Sequence, residues 1–120
     1  MGLTHVTVKL RAFPARDGAY EASFLVYTGA TDCMAPASEL KKIGVQSIGK
    51  KAYELANGTI QEFEFGLVEI TIMGELTAGR VIFGPDNVEP LLGVTALESV
   101  GLSLDPATQT LRRLPAIPLK

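Results

Sequence analysis

Few side chains in this chain of 120 residues are suited to nucleophilic or metal chemistry, because it holds one cysteine, Cys33, and one histidine, His5. A cysteine and a histidine can form the nucleophilic pair of a thiol hydrolase, but a lone cysteine is commonly a small buried hydrophobe. No spacing in the sequence couples the two residues. We therefore expect neither a Cys–His pair nor a metal site, which needs two or more coupled ligands.

The charged residues are scattered. Glu62, Glu64 and Glu69 suit the solvent side of alternating strands. The 11 Lys and Arg residues stand against 13 Asp and Glu residues, for a net charge of −2. Nucleic-acid binding needs a clustered excess of basic residues, and no Gly-rich phosphate loop is present. We therefore predict no nucleic-acid partner.

The length limits the number of domains, and the hydropathy indicates the cellular location. The length predicts a single domain, 1–120, that buries its core without disulfides or a metal. No run approaches the ~18 to 20 apolar residues of a membrane span. His5, Lys9 and Arg11 interrupt the N-terminal segment where a signal peptide needs an apolar core. We expect a cytoplasmic protein with no membrane partner.

Alternation of apolar and polar residues predicts strands over most of the chain. Thr4 to Phe13 alternates as a half-buried strand does, and Tyr20 to Tyr27 ends in a continuous apolar stretch that suits burial on both faces. A turn at Pro14 to Gly18 separates these two strands. Further strands are predicted at Ala78 to Phe83 and at Thr108 to Leu114.

The middle of the chain predicts a β-hairpin. Lys51 to Ala56 and Thr59 to Phe65 flank the pair Asn57-Gly58, which accepts the positive φ angles of a type I′ turn. The apolar phase then changes at Gly66, so we expect a bulge or bend there.

Two short helices are predicted. Pro36 to Ile43 begins with a residue that the first turn tolerates and is followed by Gly44, which suits the position just past a helix end. Val94 to Val100 has Thr95 and Glu98 at the spacing of a capping box. The predicted fold class is therefore mostly β.

Three linked features resemble the retropepsin-like aspartic peptidases, and in particular their small bacterial single-domain members. The segment from Phe24 to Asp32, FLVYTGATD, resembles the family's active-site signature of apolar strand residues followed by Asp-Thr-Gly-Ala, except at Tyr27. The run from Leu91 to Gly93 before a helix resembles the second signature, two hydrophobic residues and a glycine. The hairpin at Asn57-Gly58 lies where the family has its flap.

The resemblance implies a closed β-barrel of the acid-protease fold, with a flap hairpin and one short C-terminal helix. It also implies a homodimer, because the family's mechanism joins two carboxylates, one from each lobe, and this chain has one active-site loop. The implied activity is endopeptidase hydrolysis of an extended peptide or protein substrate, without a metal or cofactor.

The resemblance also assigns the site residues. Tyr27 stands at the position of the catalytic Asp, Thr28 is implied at the dimer axis, and Gly29 permits the tight loop. The implied substrate-binding residues are Ala30, Asp32, Ala56, Asn57, Gly58 and Ile82. Alternation along the strands places Ala56 and Ile82 in an apolar cleft. For Asp32 we favour a structural role in which it bonds local backbone N–H groups.

Tyr27 is incompatible with the chemistry of the family. In the carboxylate dyad, the ionised group activates a water and the protonated group polarises the scissile carbonyl. A phenol stays protonated at acid and neutral pH, so it supplies no general base. We therefore expect the chain to be inactive as a peptidase.

Tyr27 has two alternative origins under the peptidase hypothesis. It is either an inactivating substitution introduced into a working peptidase or the mark of a natural family member that lost catalysis. A second hypothesis is that the chain is a dimeric binding module that holds an extended peptide as an added strand without cleaving it. A third hypothesis is that the chain is a structural β domain that shares only the fold.

Overall fold

The computed structural model describes residues 3–14 and 17–119, and within these ranges the chain forms nine strands and two short helices. In chain order these elements are β1 (His5–Ala12), β2 (Tyr20–Val26), β3 (Cys33–Pro36), α1 (Ala37–Lys42), β4 (Gly49–Glu54), β5 (Ile60–Ile72), β6 (Glu75–Gly84), β7 (Leu91–Leu92), α2 (Val94–Ser99), β8 (Leu102–Asp105) and β9 (Thr110–Arg113). The predicted mostly β fold is confirmed.

Six of the strands close into a barrel. Their order is β1-β2-β7-β3-β6-β5, and β5 pairs back onto β1. The β2–β7 and β3–β6 contacts are parallel, and the other four are antiparallel. Closure pairs the edges by which an open sheet would attract other chains. The expected closed barrel is therefore present.

Alternate residues of the barrel strands point inward and form one core. Val8 and Leu10 of β1 and Ile70 and Ile72 of β5 are at most 1% exposed. Burial of each such side chain contributes roughly 1.5 to 3 kcal/mol relative to exposure. Other members of the core are Phe24, Val26, Cys33, Ala35, Leu40, Val68, Val81, Leu92, Leu97 and Leu102.

The strand β5 carries the predicted hairpin out of the barrel. One edge of β5 pairs with β6, while its other edge pairs first with β4, over 60–65, and then with β1, over 68–72. The part of β5 before Gly66 therefore extends beyond the barrel with β4 as its partner. The hairpin is confirmed, although its strands begin and end a few residues from the predicted bounds.

The predicted type I′ turn is wrong. Gly58 has a φ of 86°, but Asn57 does not have a positive φ, and the N–H of Gly58 donates to the carbonyl of Leu55 at 2.8 Å. This arrangement is a type I turn followed by a left-handed glycine. The Oδ1 atom of Asn57 instead accepts hydrogen bonds from the N–H and the hydroxyl of Thr59.

Of the bulge or bend predicted at Gly66, the bulge is absent from the pairing of β5 with β6. The pairing of β5 with β6 runs without interruption from Phe65↔Ile82 through Gly66↔Val81. Glycine is needed here for space, because a Cβ at this position would lie 2.7 Å from the carbonyl oxygen of Gln46. The apolar phase changes for another reason: Phe63 borders a surface pocket, whereas later residues of β5 line the core.

Both predicted helices are present, but the capping box of α2 is not. The N-cap residue is Gly93, and no side chain caps the helix. The first N–H groups of α2, from Val94 and Thr95, donate to the carbonyls of Ala30 and Thr31 at 2.8 and 3.2 Å. None of the described helices is long and apolar enough to cross a membrane.

Three strands were missed by the sequence patterns. The strands β3, β7 and β8 have four residues or fewer and are too short to show a clear period. The predicted strand at Thr108 to Leu114 corresponds to β9, which pairs with β8 in a separate two-stranded sheet. The predicted turn at Pro14 to Gly18 includes residues 15 and 16, which lie outside the described residues.

We expect Gly66→Ala to lower the free energy of unfolding by about 1 to 3 kcal/mol, because the added methyl group overlaps the Gln46 carbonyl. Gly79→Ala on β6 is a matched control, since the nearest atom to its Cβ would be Ile70 Cδ1 at 3.8 Å. The control should stay within about 0.5 kcal/mol of the parent. Urea unfolding measures both values, and equal losses would contradict the role given to Gly66.

Candidate functional site

A pocket of about 700 Å³ lies between the loop after β2 and the β4–β5 hairpin. The loop, residues 27–32, forms one wall and β4 forms the opposite wall. Barrel side chains from β3, β6 and β7, among them Met34, Ile82 and Leu91, also line the pocket. The pocket therefore lies over the barrel, with a loop on one side and a hairpin on the other.

The loop is held by backbone hydrogen bonds to a segment far away in the sequence. The N–H of Tyr27 donates to the carbonyl of Leu92 at 3.0 Å, next to the parallel pairing of β2 with β7. At Gly93, a Cβ would lie 2.5 Å from the carbonyl oxygen of Asp32. Only glycine allows this approach, so the loop lies directly on the start of α2.

Tyr27 lies at the edge of the pocket and is 44% exposed. Its ring packs over the backbone of its own loop, because a Cβ at Gly29 would lie 2.9 Å from Tyr27 Cζ and 3.0 Å from the hydroxyl oxygen. Gly29 thus provides the space that the ring occupies. Any larger residue at position 29 would displace the Tyr27 side chain.

Asp32 is the polar centre of the pocket and is only 9% exposed. Its Oδ2 atom accepts a hydrogen bond of 2.6 Å from the Tyr53 hydroxyl and lies 3.3 Å from Nε of Arg80. These partners come from β4 and β6, so the expectation that Asp32 bonds local backbone N–H groups is wrong. A buried carboxylate needs such partners because desolvation of an unpaired charge is costly.

The contact with Asp32 changes the acidity of Tyr53. Burial, and then the hydrogen bond to the carboxylate, raise the pKa of Tyr53 to about 12, while the charge of Arg80 opposes the rise. Tyr53 therefore stays protonated and remains a hydrogen-bond donor to Asp32. This bond joins the hairpin to the loop that begins at Tyr27.

The structure brings most of the sequence-predicted site residues to one pocket. Its lining includes Tyr27, Gly29, Ala30, Asp32, Ala56 and Ile82. Thr28 is exposed beside the pocket and outside its lining. Asn57 and Gly58 lie at the tip of the hairpin, also outside the lining.

Sequence reasoning missed Tyr53 and Arg80. A signal for Arg80 was present, because it is the one charged residue in the predicted strand Ala78 to Phe83. Its guanidinium carbon lies 5.5 Å from the centre of the Phe65 ring, a cation–π distance. Tyr53 looked like one more residue of an alternating strand, and only the fold brings its hydroxyl to Asp32.

The other candidate chemistry finds no support among the described residues. Cys33 is 1% exposed, and burial raises the pKa of its thiol to about 11, so it does not form the thiolate that a nucleophile needs. The Nε2 atom of His5 lies 2.8 Å from Oε2 of Glu89. Within the described ranges, no three His, Cys, Asp or Glu residues are grouped to hold a metal ion.

No protein-family model matches the chain, and no curated protein matches it.

We expect Tyr53→Phe to lower the free energy of unfolding by about 1 to 2 kcal/mol at neutral pH, because Asp32 loses a donor. The pKa of Tyr53 rises from 10.0 to about 12 on folding, so this stabilisation is present below pH 10 and is lost as the pH rises toward 12. Urea unfolding of both proteins over this pH range measures the difference. A difference that stays constant to about pH 12 would contradict the assignment.

Proposed function

We propose that this chain is one half of a homodimeric retropepsin-like aspartic endopeptidase in which Tyr27 stands at the position of the catalytic Asp. As it stands, the chain does not hydrolyse peptides. Its substrate class is an extended peptide or protein segment, and its chemistry uses no metal or cofactor. The closed barrel with an added hairpin and a short helix after β7 is compatible with this proposal.

One observation carries the proposal: the two sequence signatures are bonded to each other beneath the pocket. The Tyr27 N–H donates to the Leu92 carbonyl, and β2 pairs in parallel with β7 through Leu25↔Leu91. A catalytic loop must be held rigidly, because a small misplacement of a reacting group costs much of the rate. The second signature supplies that rigid base for the first.

The hairpin supports the peptide part of the proposal. It lies across the pocket from the Tyr27 loop, and among the strands that the structure describes β4 pairs on one side only, with β5. A free strand edge beside a pocket can take an extended peptide as an added strand. Apolar side chains of the lining, such as Ala56, Ile82 and Leu91, offer contacts for alternate side chains of that peptide.

Tyr27 explains why the chain is proposed to be inactive. Catalysis in this class needs two carboxylates that share a proton, one from each protomer. Each chain contributes one loop, so the assembled site would hold two phenols. A phenol neither activates the water at acid or neutral pH nor reproduces the split titration of a carboxylate pair.

A binding module without catalysis is the second candidate. The observation that favours it is the position of the Tyr27 ring, which packs on Gly29 and leaves a pocket of about 700 Å³ open beside it. A peptide can therefore be held without being cut.

We expect Tyr27→Asp to cleave peptides from a mixed library between roughly pH 4 and 7, where a shared-proton dyad works, while the parent chain cuts none. Mass spectrometry of the products measures cleavage. Tyr27→Asn is the matched control, because it has the size of Asp without an ionisable group, and it should stay at background. An aspartic-peptidase inhibitor should block the activity.

The outcome also separates the two candidates. If Tyr27→Asp folds and dimerises, as measured by sedimentation, yet cuts nothing, the peptidase proposal fails and the binding module takes its place. A chain that stays monomeric both as the parent and as the Tyr27→Asp variant contradicts both candidates, since each requires a shared cleft.

A further inference from the structure

The pocket wall formed by the β4–β5 hairpin contributes one cation, Lys51. Successive side chains of a strand point to opposite faces, so Lys51 and Tyr53 share a face of β4 and Glu54 points to the other. The Tyr53 ring packs edge-on against Phe63 of β5, with ring centres 6.2 Å apart, and both line the pocket. Lys51 thus projects from the same face as these two aromatic rings, and Ala52 and Glu54 of the other face also belong to the pocket lining.

Arg80 adds a second cation from the barrel side. Its Nε atom lies 3.3 Å from Oδ2 of Asp32, and its guanidinium carbon lies over the Phe65 ring, 5.5 Å from the ring centre. Among the described residues, no hydrogen bond or ion pair uses its two Nη atoms. The planar guanidinium presents these remaining donors in a fixed fork, which matches the two oxygens of a carboxylate.

Asp32 does not remove these donors from the pocket. Its carboxylate is 9% exposed, and Oδ2 already accepts a hydrogen bond from the Tyr53 hydroxyl and forms an ion pair with Arg80 Nε. Asp32 therefore orients Arg80 through an oxygen atom that already has two partners.

We infer that Arg80, assisted by Lys51, is a specificity-determining residue that selects peptides with an acidic side chain in this pocket. The ligand group is a carboxylate from Asp or Glu, bound by the Nη atoms of Arg80. Asp32 and Phe65 are positioning residues for the guanidinium. This inference rests on the proposed function only in that the ligand is a peptide, and it does not require cleavage.

The expected size of the preference follows from the donors. A hydrogen bond between charged partners is stronger than one between neutral groups, so replacing Glu with Gln in the peptide should weaken binding about tenfold. Lys51 acts through charge alone and is exposed, so its share should fall as salt rises. An uncharged pocket would bind the Glu and Gln versions of the peptide with the same affinity.

The test uses the chain as it exists, with Tyr27. The chain is immobilised and incubated with a randomised peptide library, and the bound peptides are sequenced by mass spectrometry. Asp and Glu should be enriched over Asn and Gln in the bound fraction. Matched Glu and Gln versions of one retained peptide are then titrated by fluorescence anisotropy at low and high salt.

Three variants separate the contributions. Arg80→Gln should abolish the preference for Glu, and Lys51→Gln should reduce it without removing any partner of Asp32. Lys50→Gln is the control, because it removes the same charge from the opposite face of the same strand. Thermal unfolding checks that each variant is folded, and Lys51→Gln keeps the test decisive if Arg80→Gln does not fold.

The outcomes are distinguishable from those of the cleavage experiment. Cleavage by Tyr27→Asp without any acidic preference overturns the inference and leaves the peptidase proposal standing. An acidic preference that depends on Arg80, together with a Tyr27→Asp variant that never cleaves, supports the inference and overturns the peptidase. A preference that survives both Arg80→Gln and Lys51→Gln overturns the inference, as does failure to retain any peptide.

Discussion

The close approach of Gly93 to the carbonyl of Asp32 is the contact on which the rest of the site depends. A side chain at position 93 would meet that oxygen at 2.5 Å, so the loop and the start of α2 touch as bare backbone. Around this contact the N–H groups of Val94 and Thr95 find acceptors in the loop. Helix N–H groups without an internal partner would otherwise need side chains or water. One glycine thus lets the loop and the helix satisfy each other.

Because the loop is held in this way, Asp32 is directed into the pocket rather than toward its own backbone. There it joins β4, through Tyr53, to β6, through Arg80. A single buried carboxylate therefore connects the loop, the hairpin and the barrel. Low polarity around the group strengthens these bonds and makes their loss costly. The same pairing holds the Arg80 guanidinium on the pocket wall, which links the stability of the site to its proposed preference for acidic ligands.

The errors of the sequence predictions share a cause. Thr95 and Glu98 have the spacing of a capping box, but the carbonyl of Thr31 already accepts a hydrogen bond from the Thr95 N–H, which the Glu98 side chain would satisfy in such a box. Gly66 looked like a bulge because its reason, the carbonyl of Gln46, is invisible to a local pattern. Local spacing predicts the structure that a segment forms by itself. That prediction fails when a distant backbone group competes for the same donor or the same space.

The sequence by itself determined the alternating strands, the hairpin, the two short helices and the positions of the loop and Leu91 to Gly93, because these follow from side-chain period and turn residues. Only the tertiary structure decided the partners of Asp32 and the place of Arg80. Those depend on the closure of the barrel and on β5 leaving it with β4 as its partner. Contacts between distant segments arise from the shared packing of all the strands, and no local pattern encodes them.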